Sequence, residues 1–131
     1  MNIGRASEAS GLTAKMIRHY ESIGLMPPVR RSGAGYRSYS DNDVRTLTFI
    51  RRARELGFSL PRIRSLLDLW QNERRHSAEV KALAQQHIGE LDRDIARLKS
   101  MREQLEILSR HCHGDDRPSC PIIEELEKFS R

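Results

Sequence analysis

The segment Thr13-Ala14-Lys15-Met16-Ile17-Arg18-His19-Tyr20-Glu21-Ser22-Ile23-Gly24 carries its own start and stop signals. Thr13 is a good N-cap, because its hydroxyl can accept a hydrogen bond from a first-turn amide. Gly24 is a good C′ residue, because it adopts a left-handed backbone without a Cβ penalty. Upstream, residues 4 to 10 are helix-compatible and stop at Gly11. Two short helices joined by a glycine-containing turn make a helix-turn-helix pattern. Ile3, Ala6, Ala9, Leu12, Ile17, Tyr20 or Ile23 can supply its small apolar core. Lys15, Arg18 and His19 are then candidates for the outward face, since a recognition helix presents its N-terminal residues to base edges and phosphates.

Downstream, Pro27-Pro28 stops the second helix, and Val29 to Tyr39 reads as a hairpin around Ser32-Gly33-Ala34-Gly35. Arg30, Arg31, Tyr36, Arg37 and Tyr39 flank that turn. Such a turn is poor in core-forming residues but suited to reaching phosphates and a groove. Ser40, followed three residues later by Asp43, resembles a capping box with Asp in place of Glu. It opens a helix through Val44, Leu47, Ile50 and Ala53 to Leu56, which Gly57 terminates and Phe58 closes with an apolar contact. Ser59 caps a further helix, Leu60 to about Trp70, with Pro61 in its first turn. These two helices read as scaffold, with Arg51 and Arg54 as candidate phosphate contacts.

From Ser77 a helix can run to about Ser109. Placing Ser77, Ala84, Leu91, Leu98 and Leu105 at heptad position d puts Lys81, Ile88, Ile95, Arg102 and Ser109 at a, with Val80, His87, Met101 and Leu108 on the adjoining g stripe. The seam is broad and broken by two cations, less ideal than a parallel zipper. A long amphipathic helix without a partner in its own chain is expected to pair with a second copy. An antiparallel arrangement is expected, because it sets two nucleic-acid-binding heads on one side of the twofold axis.

Charge is divided unevenly. Residues 1 to 76 hold 14 Lys and Arg against 7 Asp and Glu (+7), and residues 77 to 131 hold 9 against 11 (−2), which gives the net +5 of the chain. The positive field belongs to the N-terminal half and points to nucleic acid. With 131 residues, few aromatics and high charge, the core is small. The chain starts Met1-Asn2-Ile3-Gly4 without an apolar leader region, and no run approaches a membrane span, so a cytoplasmic protein is expected. No nucleophile–base pair, phosphate loop or paired carboxylates point to an enzyme.

Both cysteines lie in His111-Cys112-His113-Gly114-Asp115-Asp116-Arg117-Pro118-Ser119-Cys120-Pro121. Spacing alone leaves open a disulfide, two unrelated thiols, an incomplete zinc site or a site for a soft ion. A reducing compartment argues against the disulfide. Structural zinc normally takes four protein ligands, whereas two sulfurs alone suit a low-coordinate monovalent ion. Pro121 starts a two-turn apolar segment, Ile122, Ile123, Leu126 and Phe129, and a thiolate at its head is favoured by the helix dipole. Direct neighbours of a ligand point elsewhere unless the turn is tight, so His111 and His113 are expected to face solvent. His76 and His87 are expected at the surface or an interface.

The order of these parts is recognisable. Ala14 to Leu25 and Gly35-Tyr36-Arg37-Ser38-Tyr39 resemble the signature of the mercury-resistance regulator (MerR) family of transcription factors. Cys112-x7-Cys120-Pro121-Ile122-Ile123, with Gly114-Asp115-Asp116 inside, resembles its copper efflux regulator branch. The resemblance covers essentially the whole chain. It implies a mainly α fold: a winged helix-turn-helix DNA-binding domain (1–75), a long antiparallel coiled-coil dimerisation helix (76–110), and a metal-binding loop with a short C-terminal helix (111–131). It implies metal ligation by Cys112 and Cys120, and DNA contacts from Lys15, Arg18, Arg31, Tyr36 and Arg37, to which Thr13 and Arg54 are added as candidates. In divalent-metal relatives a cysteine starts the dimerisation helix and enters the partner's site; here that position looks like Ser77, a poor ligand for a soft ion, which favours a two-coordinate site.

The expectation is therefore a homodimeric, Cu(I)-responsive activator that binds one Cu(I) per chain, with Ag(I) or Au(I) as other candidate ions. The resemblance implies action on promoter DNA whose spacer between RNA polymerase contact elements is too long, through metal-dependent bending and untwisting. The nearest alternative keeps the fold and senses a divalent metal such as Zn(II), or a thiol oxidant. An alternative of another class is a copper-buffering protein without DNA binding.

Overall fold

The computed structural model describes residues 1–115 and 117–128, which form two compact units, Met1–Val80 and the chain from Lys81 onward. Asp116 and Phe129, both counted in the sequence reading, lie outside the described residues.

In the first unit, α1 (Ile3–Ser10) is capped by Asn2, whose side chain accepts from the Arg5 amide at 2.9 Å, and ends at Gly11 with φ +78°. Helix α2 (Ala14–Ser22) starts at Thr13, whose hydroxyl accepts from the Met16 amide at 3.1 Å. It closes in a Schellman turn: the Gly24 amide donates to the Glu21 carbonyl and the Leu25 amide to the Tyr20 carbonyl, with Leu25 buried behind it. The chain then forms a hairpin of two very short strands, β1 (Arg30–Arg31) and β2 (Arg37–Ser38), antiparallel in the register Arg30 to Ser38 and Arg31 to Arg37. Its tip is tied by the Ser32 amide donating to the Tyr36 carbonyl at 2.6 Å.

Helix α3 (Asp41–Glu55) opens with a complete capping box, in which the Ser40 hydroxyl accepts from the Asp43 amide and the Asp43 carboxylate accepts from the Ser40 amide. It ends in a second Schellman turn at Gly57, which turns Phe58 into the core. Helix α4 (Leu60–Gln71) follows from Ser59, with Pro61 in its first turn. The core joins Ala6, Ile17, Tyr20, Tyr39, Leu47, Ile50, Ile63 and Leu67. Ala9 and Ile23, offered as core residues by the sequence, are exposed; Ser10, one turn beyond Ala6, takes the inward place on α1.

Helix α5 (Ser77–His111) is 35 residues long, and Ile88, Leu91, Ile95, Leu98, Met101 and Leu105 lie exposed along it. An exposed apolar stripe of that length is what the heptad pattern calls for when the partner is another chain. His87, expected at the surface or an interface, is buried, with Nδ1 3.9 Å from the Glu90 carboxylate. Helix α6 (Pro121–Glu127) begins directly after Cys120, and Ile107 and Leu108 of α5 line a small cleft with Glu125 of α6. No helix of the described residues is long and apolar enough to cross a membrane.

Candidate nucleic-acid interface and metal site

Lys15 and Arg18, three residues apart on α2, share one exposed face. Tyr36, at the hairpin tip, is three-quarters exposed. Arg18, Tyr36 and Arg37 line one cleft of about 500 Å³ together with Asn2 and Ile3, so the fold brings α2 and the hairpin to a common cationic surface. Arg31 faces Arg37 across the hairpin and donates through Nη1 to the Gly35 carbonyl at 3.2 Å. Thr13 is exposed, and its hydroxyl is engaged in capping α2. Arg54 stands exposed on α3, with Nη1 3.4 Å from the Phe58 carbonyl. Arg51 is drawn inward: its Nε donates to the Ser10 carbonyl and its Nη1 to Glu55.

Two residues of this surface had no role in the sequence reading. Glu21 pairs with Arg37 at 3.2 Å, and Arg64 donates through both Nη atoms to the carbonyls of Ile23 and Gly24 at 3.0 and 3.1 Å. A carboxylate within a basic, outward-facing helix was the available signal for Glu21. Arg64 acts on residues 40 and 41 positions away, and no local pattern announces that.

In the second unit, the loop after α5 folds back so that Cys112 Sγ and Cys120 Sγ lie 3.3 Å apart, both free thiols and both half-buried. Between them the Arg117 guanidinium grips the Asp115 carboxylate through Nε at 2.8 Å and Nη2 at 2.7 Å, and the Arg117 amide donates to the same side chain. This contact holds the Asp115 carboxyl below the usual carboxylate range. Gly114, at φ +64°, allows the reversal. Cys120 is the N-cap residue of α6 but closes no side-chain capping bond. The Ile123 amide, the Cys112 thiol and the Ile122 amide polarise its sulfur and lower its pKa from the ordinary thiol value, with desolvation and Glu124 acting the other way. His111 and His113 are exposed, and no group of three or more His, Cys, Asp or Glu is arranged to hold a metal ion among the described residues. Ser77, the first residue of α5, is exposed. As a donor set, two close thiols fit a soft ion of low coordination number.

Residues 1–70 match the MerR HTH family regulatory protein family, and residues 44–108 match the family described as MerR, DNA binding. The chain belongs to the MerR family. Members of this family are DNA-binding transcriptional regulators, not enzymes, and the mainly helical winged helix-turn-helix fold is theirs. Among the relatives of this MerR-family chain is heavy metal-dependent transcription regulator 2 of Rhizobium meliloti (strain 1021), 57% identical over 130 residues, covering 99% of this chain and 88% of the relative. The HTH-type transcriptional regulator CueR of Salmonella typhimurium (strain LT2) is 44% identical over 126 residues, covering 96% and 91%. Among solved structures, the transcription regulator PbrR691 from Ralstonia metallidurans CH34 in complex with lead(II) superposes with a TM-score of 0.82 at 32% identity, covering 96% of this chain and 98% of that one.

Proposed function

We propose that this MerR-family protein is a homodimeric, Cu(I)-responsive activator of transcription, with one Cu(I) held per chain by Cys112 and Cys120. The observation that carries the reading is the 3.3 Å approach of the two thiols, with both flanking histidines exposed and no third donor gathered beside them among the described residues. Two thiolates and a soft monovalent ion need no further ligand, and Ag(I) and Au(I) share that chemistry. The heavy metal-dependent relative, at 57% identity, supports a metal response, and the likeness of the loop to the copper efflux regulator branch supports the ion. Exposed Ser77 in place of a cysteine weighs in the same direction.

On this reading the DNA-contacting residues are Thr13, Lys15, Arg18, Arg31, Tyr36, Arg37 and Arg54. The apolar stripe of α5 pairs two copies antiparallel, which sets two such surfaces on successive turns of promoter DNA. Cys112 and Cys120 would hold such an ion between their sulfurs, which would tie the two side chains to each other. Cys120 stands at the first turn of α6 and Cys112 directly after α5, so a fixed sulfur pair biases how the two helices meet and thereby which of two dimer states prevails. The state that bends and untwists the promoter meets a deformation cost of about 1–6 kcal/mol, offset by the cationic contacts, and presents the promoter to RNA polymerase.

A second reading, a divalent-metal sensor, draws on the relative solved with lead(II). The deciding experiment is anaerobic titration of the reduced protein with Cu(I) against a competing chelator, with Zn(II) in parallel. Tight binding of one Cu(I) per chain with weak Zn(II) binding is expected. Preference for Zn(II) would bring His111 or His113 into the site and replace the monovalent reading. Membership of a DNA-binding family speaks against a copper-buffering protein without DNA function.

A further inference from the structure

Glu21 lies on α2, one turn beyond Arg18, and its side chain is only 11% exposed. Carboxylates are rarely buried unless paired, because desolvation of the charge is costly. Here Oε2 is 3.2 Å from Arg37 Nε, while Oε1 is buried without a hydrogen-bond partner. Beside it stands Tyr39, 1% exposed, whose buried hydroxyl faces the same carboxylate without closing a hydrogen bond of normal geometry. Such an arrangement is a poor device for stability, since a buried ion pair scarcely recovers its desolvation cost. As a device for orientation it has clear consequences.

The hairpin carrying Arg37 has two paired residues in each strand, and a two-stranded hairpin is marginal in water by itself. Backbone bonds between Met1 and Tyr39 anchor the end of the hairpin, and Arg37 to Glu21 is the ion pair that ties it to α2 among the described residues. Guanidinium is a rigid planar fork. Holding it by Nε fixes the plane and aims the rest of the fork, and Arg37 then lines the same cleft as Arg18 and Tyr36. We propose that Glu21 is a positioning residue of the DNA interface: by gripping Arg37 it sets the hairpin and its cation at a fixed place relative to the recognition helix. The proposal rests on the reading of Arg37 as a DNA contact.

The sign of one measurement separates positioning from simple charge. Glu21 is a negative group on a surface that meets phosphates, so removing its charge alone would tighten binding. Positioning predicts the opposite. Operator affinity of the dimer would be measured across a salt series for the parent, Glu21→Gln, Arg37→Ala and the double variant, with unfolding midpoints alongside. Glu21→Gln is expected to weaken binding about tenfold in the parent background and to cause no further loss in the Arg37→Ala background, as coupled neighbours do. Unchanged or tighter binding by Glu21→Gln, while Arg37→Ala weakens it, overturns the positioning role alone. A loss that persists undiminished in the Arg37→Ala background overturns it too, because it marks general destabilisation. An Arg37→Ala protein that binds as the parent does overturns the hairpin contact itself, and the positioning role with it.

Discussion

Arg51 Nε donates to the Ser10 carbonyl across 2.7 Å, joining the middle of α3 to the last turn of α1, 41 positions away in sequence. The same guanidinium occupies the space beside Gly11, where an added Cβ would come within 2.8 Å of Nε and 3.0 Å of Cδ. Gly11 also sits at φ +78°, a region that costs an L-residue about 1–2 kcal/mol. Gly11→Ala is expected to destabilise by more than that conformational cost, because the methyl displaces Arg51 from its carbonyl. Arg51→Ala is expected to cost about 1.5–3 kcal/mol, the range for a hydrogen bond involving a charged group. In the double variant the clash is gone, so denaturant unfolding should show less than the sum of the two losses. Additivity would mean that the two residues do not share the site.

Tyr39 gives a prediction in the other direction. Burial pushes its hydroxyl well above its ordinary pKa of 10.0, and the nearby Glu21 carboxylate pushes it further. Since no hydrogen bond of normal geometry closes on that hydroxyl, Tyr39→Phe should leave stability near neutral pH unchanged or raise it by up to about 1 kcal/mol. Above pH 10 the unfolded chain ionises at Tyr39 while the folded chain does not. The parent therefore loses stability as pH rises from 10, and Tyr39→Phe should be spared that loss. Parallel alkaline unfolding curves for the two proteins would refute it.

Cys112→Ser and Cys120→Ser separate sensing from folding. Each leaves one sulfur where the proposed site needs two, and neither residue is fully buried or belongs to the core of the first unit. Metal-induced transcription should disappear in both variants, with operator affinity in metal-free buffer within about twofold of the parent, since surface substitutions seldom exceed ~0.5 kcal/mol. Loss of operator binding together with induction would assign the thiols a structural role.

For Arg18→Ala, operator binding should weaken broadly across sequences, and the slope of log K against log salt should fall by about one, because one fewer phosphate is neutralised. An unaltered slope would move Arg18 off the phosphate backbone.

Local signals made most of the fold readable. Thr13, Ser40 and Ser59 cap the helices that their sequences announce, and Gly11, Gly24 and Gly57 end helices in left-handed turns. Each of these operates within four or five residues of chain. The heptad pattern likewise located a helix whose apolar face is exposed in the single chain. What the sequence did not reveal depends on contacts between distant segments: Arg51 on Ser10, Arg64 on Ile23 and Gly24, Glu21 on Arg37. For Arg51 the sequence offered a candidate phosphate contact, and its tie to the Ser10 carbonyl could not be read from its own helix. At the cysteine loop, the spacing of the cysteines and the glycine between them were legible, but the Asp115 to Arg117 clasp and the 3.3 Å sulfur contact required coordinates.

Helix α2 has only nine residues, too few to persist alone in water, yet its ends are closed by Thr13, by the Schellman turn at Gly24, and by Arg64 on the carbonyls that follow. Its shape is thus complete before any duplex arrives, and docking orders little additional backbone. Encounter with DNA is then governed by diffusion and charge, which vary little from one operator to another. On the proposed reading of α2 as the DNA-contacting helix, discrimination among sites should accordingly reside in dissociation lifetimes: right and wrong sequences are met at similar rates and differ in how long they are held.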